Sequence, residues 1–91
     1  MHFVVRWPDE SVTACYSPSL VVRDFLSEGT TYDVPTFVSL CREALTIASD
    51  RVREKYGFAC SLAAAELARI DALAARFSEP SAVVLVEQFR L

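Results

Sequence analysis

The stretch DVPTFVSLCREALTIASDRVREKYGFACS, from Asp33 to Ser61, reads as one long amphipathic helix, a glycine stop at Gly57 and the entry to a second helix. Phe37, Leu40, Cys41, Ala44, Ala48, Val52 and Tyr56 recur at steps of three and four, while Arg42, Glu43, Ser49, Asp50, Arg53 and Glu54 take the other side. A helix with one apolar face must lay it against another element, so the rest of the chain has to supply a matching layer. Pro35 suits the first helical turn, where a missing N–H costs nothing. Arg51, Arg53 and Lys55 complement the dipole at the far end; a solvated helix end accounts for them, with a small patch for an acidic partner as the alternative. Gly57 is the expected left-handed residue after the last turn, and Phe58 is expected to pack back near Val52.

Around this helix the chain supplies strands. His2 to Arg6 and Ser11 to Tyr16 alternate apolar and polar residues on either side of Trp7-Pro8-Asp9-Glu10, which predicts an antiparallel hairpin turned by Pro8 and Asp9. Trp7 at its end is expected to cover the core edge with its indole N–H near water. Ser17-Pro18 is a helix-start signal, so a short helix is expected over Pro18 to Leu26; the β-branched pair Val21-Val22 leaves a third strand as the alternative. Thr30 to Asp33 reads as a polar connection. After Gly57 the chain is expected to turn through Ala59-Cys60 to Ser61, a serine N-cap. A helix from Leu62 to Phe77 follows, with Ala63, Leu67, Ile70, Ala74 and Phe77 on one stripe and alanines that permit close approach by a neighbour. Ser78-Glu79-Pro80-Ser81 breaks it. Ala82 to Phe89 is a last strand, apolar enough at its start to be central or covered on both faces. The expectation is one α+β domain over residues 1–91. Its order is ββαααβ: an N-terminal β-hairpin, three helices and a C-terminal strand closing a three-stranded antiparallel sheet.

A chain of 91 residues, 53% apolar and with two glycines, is large enough to bury roughly 60 to 65% of its unfolded surface without metal or disulfide staples. Its net charge of −3 is unhelpful for nonspecific binding to phosphate backbones. No stretch approaches the ~20 apolar residues of a membrane span, and MHFVVRWPDE lacks the pattern of a signal peptide. Cys15, Cys41 and Cys60 are odd in number and contain no CxxC pair, which suits reduced thiols. A cytoplasmic location is therefore expected, with no membrane association.

No catalytic constellation accompanies the fold. Cys60, just before a helix N-terminus, is the best nucleophile candidate, because free N–H groups there favour thiolate; the only histidine, His2, lies near a terminus, and a packed turn residue is the plainer reading. The cysteines and His2 show no metal-ligand spacing, and no cofactor is expected. Asp9 with Glu10, and Asp50 with Glu54, are explained by solvation and neighbouring arginines. There is no glycine-rich phosphate loop. Two helices joined near Gly57 and flanked by strands suggest a winged helix-turn-helix. The second helix, however, offers only Glu66, Arg69, Asp71 and Arg76, mixed in sign and poor for base readout, so no nucleic-acid partner is expected.

RWPD at Arg6 to Asp9, CYSPS at Cys15 to Ser19 and KYGFACS at Lys55 to Ser61 occur with Phe37-Val38 and with ASDRV at Ala48 to Val52. In that order, over nearly the whole chain, they resemble the small bacterial nitrogen starvation response protein family. The resemblance implies a gene cluster built around a nitrilase, with a radical S-adenosylmethionine protein, an acetyltransferase and a flavin-dependent oxidoreductase as neighbours. It brings no enzymatic activity and no site residues. Glu10 stands where a turn glycine is expected after WPD. The reading that follows is a small noncatalytic accessory or adaptor protein with protein partners from the same gene cluster. A sheet edge would be free to add a partner strand, and Trp7, Tyr16 and Tyr32 would serve as aromatic anchors. The rival is an enzyme or ligand sensor using Cys60 and Tyr56. A third reading is a homo-oligomer formed through the alanine face of the last helix.

Overall fold

The computed structural model of the chain describes residues 1–58 and 60–91. Strands β1 (His2–Arg6) and β2 (Val12–Tyr16) form the N-terminal hairpin. A 3-10 turn (Leu20–Asp24) leads to β3 (Thr31–Asp33), then α1 (Val34–Tyr56), α2 (Ser61–Ala74) and β4 (Val83–Arg90). The four strands make one antiparallel sheet in the order β2-β1-β4-β3. The two helices form a hairpin against one face, and Phe3, Val5, Val84 and Val86 meet Phe37, Cys41, Leu45 and Ile70 in the core between them.

This corrects the expected ββαααβ order in two places. The residues Pro18 to Leu26 do not form an α-helix. Ser19, not Ser17, caps a single 3-10 turn by accepting the Val21 N–H at 3.2 Å, and Ser17 is buried with its hydroxyl donating to the Ser19 carbonyl at 2.7 Å. Val21 and Val22 are both buried there, where χ1-restricted side chains gain more from packing than from extending a helix. Second, Thr31–Asp33 is a strand. Its three residues pair with Val83, Val84 and Leu85, so the sheet has four strands and β4 lies inside it. Thr31 and Tyr32 favour strands, but three residues ending in Asp33 are too few to specify one alone; the free edge of β4 recruits them.

The hairpin turn shows how the sequence resolves an apparent misfit. Trp7 C=O accepts the Glu10 N–H at 2.9 Å and Trp7 N–H donates to the Ser11 carbonyl at 2.8 Å, enclosing a three-residue loop. Such loops place their last residue in the left-handed region, and Glu10 has φ +72°. It occupies the glycine position in the backbone sense as well.

In β4, Val5 pairs with Val86 and Val4 with Gln88, leaving Glu87 as one extra residue. A bulge of this kind shifts the strand's parity by one, so Val84, Val86 and Phe89 all serve the core side despite their uneven spacing. The Glu87 carboxylate accepts from Arg6 Nε at 3.0 Å.

Helix α1 begins and ends as its residues require. Asp33 is the N-cap, accepting the Thr36 N–H at 3.2 Å, and Pro35 lies in the first turn. At the other end Gly57 takes φ +83° and its N–H donates to the Arg53 carbonyl at 2.7 Å. Its buried residues include Phe37, Cys41, Ala44 and Ala48 as expected, and also Leu45; Tyr56, expected on the same face, is exposed.

Candidate functional site

Helix α1 is about 34 Å long at 1.5 Å per residue, longer than the strands it covers, and the molecule measures 41 × 23 × 17 Å. The helical hairpin therefore outruns the sheet. Ala48 is the last buried residue of α1 and Ala63 the first of α2; no described residue between them is buried. The described residues of KYGFACS lie in this overhang, with Leu62 directly after them. Three large apolar side chains stand out on it: Tyr56 is 59% exposed, Phe58 69% and Leu62 63%. Phe58, expected to pack back near Val52, is thus largely in solvent, because the end of α1 lies beyond the core. Lys55 Nζ sits 5.4 Å from the centre of the Tyr56 ring.

Cys60 N–H donates to Ser49 Oγ at 3.2 Å, tying the start of α2 to α1 one turn before the basic residues. Cys60, rather than Ser61, is the N-cap residue, and its side chain makes no capping bond. Ala59, expected in this turn, lies outside the described residues.

The four candidate residues separate. Cys60 and Tyr56 belong to the overhang. Trp7 is only 2% exposed; its ring meets Phe37 edge-on at 5.6 Å and stacks on Phe77 at 5.9 Å, and its N–H donates to Thr13 Oγ1 at 3.1 Å rather than reaching water. It is a core residue. Tyr16 is half-buried on the face of the sheet opposite the helices, where it packs edge-on against His2 at 5.6 Å. His2 and Cys60 thus lie on opposite sides of the sheet, and no thiol–imidazole pair forms. Tyr32, the third expected anchor, is half-buried and its hydroxyl accepts the Ser27 N–H at 2.9 Å, which pins the loop before β3.

The other thiols are structural in surroundings. Burial pushes the Cys15 thiol up to about 12, with Glu66 adding to the effect, and burial likewise raises Cys41. The Cα atoms of β2 and α1 stay more than 8 Å apart, beyond the reach of a Cys15–Cys41 disulfide. The Asp9 carboxyl is held below its usual range by hydrogen bonds from the Ser11 hydroxyl and N–H, a turn-building role. Among the described residues no three His, Cys, Asp or Glu side chains gather as a metal site. No described helix is long and apolar enough to cross a membrane.

Phe58 and Leu62 were not singled out by sequence reasoning. Leu62 carries a signal all the same: it falls off the Ala63, Leu67, Ile70 stripe that defines the buried face of α2. Phe58 has none, since an apolar residue after a helix-ending glycine ordinarily packs inward.

A four-stranded antiparallel sheet backed by an overhanging helical hairpin defines a small α+β protein with Tyr56, Phe58 and Leu62 exposed around the helical turn. The family model described as nitrogen starvation-induced protein NitG matches residues 2–89, and the chain belongs to that family. No curated protein and no solved structure matches the chain.

Proposed function

We propose that this protein is a noncatalytic accessory or adaptor protein of a bacterial nitrogen starvation pathway, acting in the cytoplasm with enzymes encoded beside a nitrilase. One observation carries the reading. KYGFACS, one of the segments on which the resemblance rests, carries the exposed Tyr56 and Phe58, and the exposed Leu62 follows it directly. Large apolar side chains held out of the core are what a recognition surface requires. Of the anchors first expected, Trp7 serves the core and Tyr32 pins a loop, so the reading places the recognition surface at the helical turn rather than on the sheet.

The test is retention of purified nitrilase, radical S-adenosylmethionine protein, acetyltransferase and flavin-dependent oxidoreductase on the immobilised chain, with cofactors and substrate supplied. Specific retention of at least one is the expected result. Retention of none overturns the reading. A competing reading, an enzyme or sensor using Cys60 and Tyr56, draws on Cys60 being partly exposed while Cys15 and Cys41 are buried. It requires Cys60 to be alkylated well above the rate of free cysteine at neutral pH; a rate at or below that of free cysteine removes it.

A further inference from the structure

We propose that the cavity between the 3-10 turn and the end of β4 binds a free α-amino acid with an apolar side chain. Arg23 takes its carboxylate, Glu28 its ammonium, and Leu26 with Phe89 its side chain. The proposal goes beyond the accessory reading and does not rest on it, since the site uses neither the helical turn nor a protein partner.

The cavity measures about 370 Å³ and is lined by Arg23, Leu26, Ser27, Glu28, Phe89 and Leu91. That volume falls in the range of small-molecule sites, which join apolar walls to a few placed polar groups. Both kinds of wall are present. Leu26 is 1% exposed and Phe89 packs half-buried against the core, so the two form an apolar floor. Arg23 and Glu28, both exposed, bring one charge of each sign to it.

Those charges do not neutralise each other. The ion pairs within 4.0 Å are made by Arg6, Arg42, Arg69 and Arg76, and neither Arg23 nor Glu28 takes part in one among the described residues. One Glu28 oxygen accepts the Phe89 N–H at 2.7 Å, and the other accepts from no described residue. Asp24 lines a separate depression with Arg51. A cation and a carboxylate that share a cavity without pairing select a ligand that carries both signs. A simple anion would meet Glu28 and a simple cation would meet Arg23, whereas a zwitterion satisfies both. The planar guanidinium suits a carboxylate, and an ammonium supplies the donor that the free Glu28 oxygen lacks. With both charges on one carbon, the ligand's side chain is left for Leu26 and Phe89.

The walls are fixed before a ligand arrives. Leu26 N–H donates to the Val22 carbonyl at 2.9 Å, Ser27 N–H to the Tyr32 hydroxyl at 2.9 Å and Gly29 N–H to the Val86 carbonyl at 2.7 Å. Backbone held in this way reduces the ordering cost of binding.

Calorimetric titration of the full chain with L-leucine, L-methionine and L-phenylalanine tests the proposal. Isocaproate and isoamylamine serve as the leucine analogues that lack the ammonium and the carboxylate, and amide NMR spectra locate the site. Saturable binding of at least one amino acid is expected, with amide shifts at Ser27, Glu28 and Phe89. Both analogues should bind at least tenfold more weakly than leucine, and R23Q and E28Q should each weaken binding at least tenfold. The E28Q amide keeps an oxygen for the Phe89 N–H, so that variant removes the charge and leaves the wall; circular dichroism confirms that both variants remain folded. Absence of binding by all three amino acids at millimolar concentration overturns the proposal. So do analogues that bind as tightly as leucine, variants that bind as tightly as wild type, or amide shifts confined to other parts of the chain. Retention or loss of a gene-cluster protein on the immobilised chain leaves each of these outcomes unchanged, so the two readings stand or fall separately.

Discussion

The Arg69 guanidinium of α2 donates to the Ala14 carbonyl of β2 at 2.9 Å. Ala14 lies on the outer strand of the sheet, so the helix places a cation on a backbone acceptor that an added strand would otherwise use. Glu66 holds that guanidinium from the same helix face, with Arg69 Nε 2.8 Å from its Oε1. The opposite side is treated likewise, since the Phe89 N–H of β4, beyond the end of β3, donates to Glu28 Oε1 at 2.7 Å. Charged side chains guard both sides, which disfavours the strand addition that the sequence suggested. Replacing Arg69 by alanine is expected to unmask β2 and promote concentration-dependent association, read by light scattering. It also leaves Glu66, whose side chain is 11% exposed, without its partner, at a cost of about 1–3 kcal/mol in denaturant unfolding. The double variant E66Q/R69A should recover part of that stability and none of the monomeric behaviour.

Two of the three left-handed positions, Glu10 and Gly57, carry contrasting residues. Glu10 has φ +72° and Gly57 φ +83°. A side chain at such a φ costs about 1–2 kcal/mol, against which Glu10 offers only a 3.5 Å ion pair to Arg6 at an 81% exposed side chain. Strain outweighs that exposed pair, so E10G is expected to raise stability by about 0.5–1 kcal/mol. A Cβ at Gly57 would meet nothing within 4 Å. G57A therefore pays for strain alone and is expected to lose about 1 kcal/mol. Thermal and denaturant unfolding of the pair checks both signs; a stabilised G57A would contradict the turn geometry.

The buried thiols predict alkaline sensitivity. Burial pushes the Cys15 thiol up from an ordinary 9.0 to about 12, and Cys41 is raised in the same direction. Because the folded values are raised, the thiols' contribution is complete below about pH 9. It is lost above that, as the unfolded chain releases protons that the folded chain keeps. Stability should fall by about 1.4 kcal/mol per pH unit for each thiol as pH rises from 9 towards the folded values. C15A and C41A should each remove roughly half of that slope, measured by denaturant unfolding between pH 7 and 11. An unchanged slope in both variants would assign the effect to other groups.

Much of the fold was legible locally. The period of α1, its Asp33 and Pro35 start, its Gly57 stop, the WPDE hairpin and the last strand depend on neighbours within a few residues, and each formed where its residues called for it. What failed depended on distant partners. Thr31–Asp33 is a strand because β4 offers an edge, and Val84, Val86 and Phe89 share the core because a bulge opposite Val4 and Val5 changes their parity. Trp7 left the candidate site because Phe37 of α1 and Phe77, in the connection after α2, close over it.

For the overhang, the sequence alone determined that two helices would be joined at a left-handed glycine, since capping chemistry is local. That Tyr56, Phe58 and Leu62 would stand in solvent was decided only by tertiary structure. Exposure depends on where the sheet beneath α1 ends, and that limit is set by the lengths and register of strands far away in the chain.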